Sequence, residues 1–157
     1  MRQWEALSEQ ETALFYEKLM ARANRPGTFT TYNHMRVTAV GDGWAEGELD
    51  VAPDSGNPLG IVHGGCLCTM MDQVSGTAAC SRGAVCRTVN CDIHYLSAAA
   101  DCKKLYSKAT LLQRGRNIAV FATQVTDGSG TLCAAGTYTF RLKQEGLDIF
   151  LCGEDPQ

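Results

Sequence analysis

The sequence lacks three features that would each assign it to a particular class of protein. It contains no run of eighteen apolar residues, so we expect no membrane-spanning segment. Its 14 Lys and Arg residues are outnumbered by 17 Asp and Glu residues, and a net charge of −3 argues against a nucleic-acid-binding protein. The first residues carry no apolar signal region, and we therefore expect a cytoplasmic protein.

The eight cysteines also lack a metal-binding arrangement, because no two of them form a Cys-x-x-Cys pair. Several occupy positions that a small apolar residue would suit, as Cys66 and Cys80 do in a helical stretch. We interpret the cysteines as reduced packing residues, which agrees with a cytosolic location. We expect no metal site.

What the sequence does contain indicates a single α+β domain. A chain of 157 residues is long enough for one domain with a proper core and too short for two. An N-terminal helix is followed by two strands, one long helix and about four further strands. Turn signals join the strands as hairpins, which favours one antiparallel sheet packed around the central helix. We divide the chain into an N-terminal helix over 1–27, a main domain over 28–143 and a tail over 144–157.

Hydrophobic periodicity sets the expected bounds of these elements. Alternation places Met35, Val37 and Ala39 on one face of the first strand. In the strand after the long helix, it places Thr88 and Asn90 together on one face. We expect helices at 4–23, with a capping box of Ser8 and Glu11, and at 66–81, and strands at 44–51, 87–96, 103–113, 117–126 and 131–143.

The long helix carries one charged residue, Asp72. Leu67, Met70 and Val74 recur at helical spacing and form an apolar stripe. Asp72 lies roughly 140° from Leu67 on the helical wheel, among small residues rather than charged ones. A helix without a solvated face is usually buried on all sides, so we predict a buried carboxylate that acts as a general base or a nucleophile. An aspartate held by hydrogen bonds at a packing interface is the alternative.

A glycine pair, Gly64 and Gly65, precedes this helix. The first turn of a helix leaves amide N–H groups unsatisfied, and the helix dipole favours negative charge there. Glycine also lets a ligand approach the backbone closely. The pair therefore suits an oxyanion, which would be a phosphate or the oxygen of an attacked carbonyl group. A glycine-rich turn without a ligand is the alternative.

The spacing of these two features predicts an oligomer. Gly64 and Asp72 are eight positions apart, which separates them by roughly 12 Å along one helix. Groups that act on one carbonyl must lie within a few ångströms of it. If both serve one reaction, they come from different copies of the chain, and the small residues around Asp72 would let a second copy approach. We therefore predict a homodimer with two sites at its interface.

Together, Asn57, His63, Gly64, Gly65 and Asp72 resemble the motif of hotdog-fold acyl-CoA thioesterases, particularly the phenylacetate-degradation type. The predicted order of helices and strands agrees with that family over about residues 28–143. The resemblance implies a sheet wrapped around one helix, hydrolysis of an acyl-CoA thioester, and dimers that often pair into tetramers. Coenzyme A is then part of the substrate, and no separate cofactor is expected.

The resemblance also implies a role for each matching residue. The Gly64 N–H would contribute to the oxyanion hole, and Asp72 of the other subunit would be the general base or the nucleophile. Asn57 would position the thioester carbonyl or the water, and Thr88 matches a serine or threonine that orients the water. His63 would have a supporting structural role.

Basic side chains near strand turns suit the phosphates of coenzyme A. Three residues meet that description, and we name Arg114, Arg116 and Lys104 as candidates for binding them. Ordinary solvated charges are the alternative for each of the three.

Two other functions fit the same fold. A hotdog hydratase would need a histidine five residues after the aspartate, where this chain has Thr77. A regulator that senses acyl-CoA would carry a DNA-binding segment, and residues 1–27 supply only one helix, too little for a helix-turn-helix. A stand-alone, non-catalytic acyl-CoA binding or sensing module remains the alternative to the thioesterase.

Overall fold

The computed structural model describes residues 6–143, which form three α-helices and six β-strands. In that range no helix is long and apolar enough to cross a membrane. The predicted helix start at residue 4 and the tail at 144–157 lie outside the described residues. The elements are α1 (Glu9–Ala23), α2 (Phe29–Tyr32), β1 (Met35–Gly41), β2 (Trp44–Asp50), α3 (Gly64–Cys80), β3 (Val85–Tyr95), β4 (Lys104–Arg114), β5 (Ile118–Asp127) and β6 (Leu132–Lys143), with a 3-10 turn at Pro53–Ser55 before α3.

The six strands form one antiparallel sheet in the order β1-β2-β4-β5-β6-β3, and α3 packs on one face of it. The predicted apolar stripe of α3 is buried, as are the alternate residues that β5 and β6 turn toward it. This arrangement confirms the predicted α+β class, with an antiparallel sheet around a central helix. The buried residues of α3 and of these two strands include Leu67, Met70, Met71, Val74, Ala78, Phe121, Tyr138 and Phe140.

Helix α3 is fixed on the sheet by polar contacts as well as by apolar packing. The Tyr138 hydroxyl donates a hydrogen bond to the Cys68 carbonyl oxygen at 2.7 Å. The hydroxyls of Ser75 and Thr123 are hydrogen-bonded to each other in the core. On β2, a Cβ on Gly47 would lie 2.8 Å from a methyl carbon of Val74, so only glycine allows the helix to approach this closely. These contacts fix the direction in which Asp72 faces.

Helix α1 covers one flank of α3. Ser8 and Glu11 form the predicted capping box at its start, with Ser8 as the N-cap. Phe15 and Leu19 are buried against the core. Beyond α1, the Asn24 side chain exchanges two hydrogen bonds with the Val37 backbone, both 2.8 Å. The first helix is therefore an integral part of the wall beside α3.

Two β-bulges make the predicted strand faces wrong. In β1 the register shifts between Val37 and Ala39, so that Val40 is buried instead of Ala39. In β3 the register shifts between Thr88 and Asn90, because Val89 is an extra residue without its own partner. A bulge moves the following residues to the opposite face of the sheet. Simple alternation cannot detect this extra residue.

The second bulge determines where Thr88 points. Thr88 lies opposite Phe140, which is buried under α3, whereas Asn90 lies opposite Thr139. Thr88 and Asn90 therefore face opposite sides of the sheet, contrary to the alternation pattern. As a result, Thr88 faces the helix that carries Asp72.

Candidate active site

Helix α3 begins at Gly64, two residues earlier than predicted. His63 is the N-cap, and its Nδ1 accepts a hydrogen bond from the Gly65 N–H at 2.8 Å. The predicted start at residue 66 was wrong because the glycines, which have low helix propensity, are held in the first turn by this cap. Among the described residues, none accepts a hydrogen bond from the Gly64 N–H. That donor is free to bind a ligand.

Tyr95 is a residue of this region that the sequence did not indicate. It ends β3, and its ring lies over Gly64, where a Cβ would be 3.2 Å from the nearest ring carbon. Even so, 56% of Tyr95 is exposed, so the ring borders the space in front of the Gly64 N–H without filling it. No local pattern signals this contact, because it depends on how far β3 runs past the helix.

Asp72 and Thr88 form the second group of site residues. The Thr88 hydroxyl donates a hydrogen bond to Asp72 Oδ1 at 2.8 Å. Burial raises the pKa of the Asp72 carboxyl above its ordinary value, and the hydrogen bond from Thr88 opposes this shift. A carboxylate with a raised pKa is a stronger base than an exposed one. The pair can therefore accept a proton from a bound water molecule.

Asp72 opens into a cleft of about 370 Å³ between α1, α3 and the start of β3. We predicted a carboxylate enclosed on all sides, whereas Asp72 is half-buried in the single chain. The reason is that β3 is one of the two edge strands, so no further strand of the described sheet covers this flank of the helix. The residues around Asp72 in this cleft include Leu19, Gln73, Gly76, Arg87 and Thr88.

Asn57 lies in the loop before α3 and organises that loop. Its Oδ1 accepts hydrogen bonds from the N–H groups of Leu59 at 2.9 Å and Ile61 at 3.4 Å. Within residues 6–143 its side-chain NH₂ group has no hydrogen-bond acceptor. Asn57 can therefore donate to a ligand oxygen while its carbonyl oxygen holds the loop.

A single chain does not bring all the predicted residues together. Asp72 and Thr88 share one cleft, His63 and Gly65 line a second, and Asn57 lines a third. Gly64 and Asp72 are at the start and the middle of the same helix, roughly 12 Å apart. A single chain therefore keeps Gly64 and its neighbours apart from Asp72 and Thr88.

The three basic residues proposed for phosphate binding do not form one group either. Lys104 is paired with Glu48 at 3.0 Å and Asp50 at 3.2 Å at one end of β4. Arg114 ends the same strand and donates to the Ala79 carbonyl oxygen at 3.5 Å, and Arg116 is exposed in the following turn. Ten residues of strand separate the two ends by roughly 33 Å. Only Arg114 and Arg116 are neighbours.

Over residues 6–143, no group of three or more His, Cys, Asp or Glu side chains is arranged to hold a metal ion. That no metal is required stays a prediction.

Comparison with known proteins places the chain in a family. The family model described as the thioesterase superfamily matches residues 59–134. The chain is 32% identical to acyl-coenzyme A thioesterase 13 of Mus musculus over 98 residues. This match covers 60% of this chain and 70% of that protein. The Escherichia coli PaaI protein from the phenylacetic acid degradation operon has a TM-score of 0.75 at 18% identity, over 84% of this chain and 97% of that one, and shows the same fold.

A third relative has been solved with coenzyme A. A hypothetical thioesterase of Streptococcus pneumoniae TIGR4, crystallised with coenzyme A, is 29% identical with a TM-score of 0.65, over 69% of this chain and 85% of that one. Two alanine variants of a hypothetical thioesterase from the same strain have also been solved, one replacing an aspartate and one a threonine. Those two residues are sixteen positions apart, which is also the separation of Asp72 and Thr88.

Proposed function

The chain belongs to the thioesterase superfamily, and from that premise we propose that this thioester hydrolase converts acyl-CoA to a free acid and coenzyme A. The predicted resemblance to hotdog-fold thioesterases is confirmed for the family and the fold. The choice of acyl-CoA is supported by an acyl-CoA thioesterase and a coenzyme A complex among the relatives. The single observation that carries the mechanism is the hydrogen bond from Thr88 to Asp72, which fixes a carboxylate of raised pKa at the wall of an open cleft.

We assign Asp72 the role of general base. Its carboxylate takes a proton from a water molecule that attacks the thioester carbonyl carbon, and the Thr88 hydroxyl holds the carboxylate in place. The negative charge that develops on the carbonyl oxygen is stabilised by the unpaired Gly64 N–H. When the carbon–sulfur bond breaks, the proton passes from Asp72 to the leaving thiolate of coenzyme A. A nucleophilic Asp72 would instead form a mixed anhydride, which borohydride would reduce and trap.

We further propose that the active unit is a homodimer, and that two such dimers pair into a tetramer. This proposal is supported by the distance of roughly 12 Å between Gly64 and Asp72 along α3, since the two can act on one carbonyl only if one comes from each subunit. Edge strand β3 supports this assembly, since it is eleven residues long and Val89 and Tyr95 on it are exposed. An exposed edge strand with apolar side chains is suited to pairing with another chain.

Asn57 and His63 complete the proposed oxyanion side of the site. The free NH₂ group of Asn57 is suited to position the thioester carbonyl oxygen or the water. His63 acts through the helix, because its Nδ1 holds the first turn that presents the Gly64 N–H.

We propose that Arg116, together with Arg114, binds the phosphates of coenzyme A at the β4–β5 turn. A guanidinium group donates several hydrogen bonds to a phosphate in a fixed geometry. Lys104 is a candidate for the same task, but its ammonium group is already paired with Glu48 and Asp50. If Lys104 also binds coenzyme A, it does so at the start of β4, far from Arg114 and Arg116.

We place the enzyme in the cytoplasm and propose that it needs no cofactor beyond the coenzyme A of its substrate. Support for this location comes from the cysteines, since all seven in the described residues are free thiols. Free thiols in that number are typical of a reducing compartment.

Free-thiol release from a panel of acyl-CoA esters tests the proposed function. The panel includes short, medium, long and aromatic acyl groups, and we expect multiple turnovers with at least one of them. If the protein binds acyl-CoA stoichiometrically and leaves every thioester intact over hours, the thioesterase assignment is wrong and the binding or sensing module takes its place.

Two substitutions at His63 test its supporting role. Replacing His63 with alanine removes the cap of α3, and we expect the free energy of unfolding to fall by about 1 kcal/mol. His63→Asn supplies another good N-cap side chain, and it is expected to restore stability and to keep kcat within a few-fold of the native value. Urea unfolding and thiol release measure the two quantities. A large loss of kcat in the stable asparagine variant would instead show that the imidazole takes part in the chemistry.

A further inference from the structure

Two cysteines meet beside the Asp72 cleft. Cys80 is the last residue of α3 and Cys86 is the second residue of β3, and their Sγ atoms are 3.6 Å apart. The Cys86 thiol also donates to the Gly76 carbonyl oxygen at 3.4 Å. Both sulfurs are therefore held against the last turns of the helix. Neither forms a disulfide in this structure.

The segment between the two cysteines is short, and a backbone hydrogen bond closes its turn. Gly83 has φ of 71° and donates its N–H to the Cys80 carbonyl oxygen at 2.9 Å. The backbone turn therefore brings the two thiols together without needing a bond between them. A disulfide requires about 2.05 Å between the sulfurs, so they must approach by about 1.5 Å.

The position of the pair connects it to the proposed catalytic carboxylate. Cys80, Cys86, Thr88 and Asp72 line the same cleft, so a small oxidant that enters the cleft lies beside both cysteines. Cys86 precedes Thr88 by two residues on β3. If β3 moves at Cys86, Thr88 moves with it. The 2.8 Å hydrogen bond from the Thr88 hydroxyl to Asp72 is then broken once the two oxygen atoms are more than about 3.5 Å apart.

We propose that Cys80 and Cys86 form a reversible disulfide that switches off the Asp72 cleft. The oxidant is a hydroperoxide, which transfers one oxygen atom to the sulfur of Cys80. When the oxidant is hydrogen peroxide, the other product of this step is one molecule of water. The resulting sulfenic acid is attacked by the sulfur of Cys86, which forms the disulfide and releases a second molecule of water. A dithiol reductant reverses the change. This regulation of the site rests on the proposed function, whereas formation of the disulfide does not.

The electrostatic surroundings support Cys80 as the thiol that reacts first. The contact with Cys86 lowers the pKa of Cys80, with smaller contributions from Arg114 and Arg22, while burial acts in the opposite direction. The pKa of Cys86 is raised by the contact with Cys80 and by burial. The thiolate is the form that reacts with peroxide, and the thiol of higher pKa then acts as the resolving partner.

The experiment treats the full-length reduced protein with hydrogen peroxide and measures two quantities. Peptide mapping without reduction is expected to show one disulfide, between Cys80 and Cys86. Thiol release from acyl-CoA should fall at least tenfold and return with dithiothreitol. For each variant, activity is expressed as the ratio of the oxidised to the reduced sample. Cys86→Ser is expected to keep this ratio near one, whereas Cys91→Ser, a matched change on the same strand, should lose activity as the native protein does.

Three outcomes overturn the proposal. The first is a peptide map that lacks the Cys80–Cys86 disulfide. The second is a protein that forms this disulfide and keeps full activity. The third is a Cys86→Ser variant that peroxide inactivates as strongly as the native protein. If the reduced protein hydrolyses no thioester at all, the proposed function fails. Peptide mapping then still decides whether the disulfide forms, and hydrogen exchange at the start of β3 decides whether the bond displaces Thr88.

Discussion

Replacing Asp72 with asparagine is expected to lower kcat by about 10²–10⁴-fold, the contribution of a well-placed general base. Asparagine has nearly the same size as aspartate, and its carbonyl oxygen can still accept the hydrogen bond from Thr88. It cannot take a proton from water at neutral pH. Thiol release under saturating substrate measures the effect, and KM should change much less than kcat.

The same variant should be at least as stable as the native protein, which separates lost chemistry from lost structure. Burial raises the pKa of Asp72 in the folded state, so the folded protein binds the carboxyl proton more tightly than the unfolded chain. The stability due to this group is present below the unfolded pKa and is lost as the pH rises through the folded pKa. At neutral pH the ionised Asp72 is therefore unfavourable for folding, and the Asp72→Asn substitution is expected to raise the melting temperature. Below about pH 3.8 the difference should vanish.

Asp127→Asn is the matched control for this loss. The Asp127 carboxylate accepts hydrogen bonds from the N–H groups of Ser129 at 2.8 Å and Thr131 at 2.9 Å in the β5–β6 turn, and the carbonyl oxygen of asparagine can accept the same bonds. The same chemical change at that position should leave kcat within a few-fold of the native value. If Asp72→Asn retains full activity while remaining folded, Asp72 is not the catalytic base and the mechanism is wrong.

The sequence predicts the architecture well because hydrophobic periodicity and turn chemistry are local. The capping box of Ser8 and Glu11 is an example, since both residues and the backbone groups they bind lie within one turn. The bounds of β4, β5 and β6 agree with the prediction to within one residue. The bulge at Val89 could not be predicted, because an extra residue without a partner is defined by the opposite strand, β6.

The site is predictable only in part, for a related reason. The proposed role of Asp72 rests on its isolation among small residues on an apolar helix, and the free N–H of Gly64 follows from its place in the first turn. The contact of Tyr95 with Gly64 and the pairing of Lys104 with Glu48 depend on tertiary neighbours. No spacing in the sequence records them. Half-burial of Asp72 likewise reflects the uncovered edge of the sheet.

Replacing Gly64 with proline should remove the oxyanion donor and little else. Gly64 is the first residue of α3, a position where proline is well tolerated because its N–H is not needed by the helix. The preceding residue, His63, has φ of −64° and ψ of 136°, the extended conformation that a following proline requires. We expect kcat to fall by about 10²–10³-fold, the effect of losing one oxyanion-hole hydrogen bond.

Gly64→Ala is the control for the added side chain. Its Cβ meets the Tyr95 ring at the same place as that of proline, but the N–H is kept. Tyr95 is more than half exposed and can move, so the alanine variant should retain most of its activity. If alanine and proline lower kcat equally, the loss comes from the contact with Tyr95, and the Gly64 N–H is not the oxyanion donor.

Co-expression of the Asp72→Asn and Gly64→Pro variants then tests whether the site is shared between subunits. In a dimer of one Asp72→Asn chain and one Gly64→Pro chain, one of the two sites combines an intact Gly64 with an intact Asp72, and the other site carries both changes. Random pairing makes half of the dimers mixed, so the co-expressed proteins should recover about a quarter of the native activity. Each variant alone stays nearly inactive. If both residues acted within one chain, every site in the mixed dimer would be damaged, and purified mixed dimers without activity would contradict the shared site.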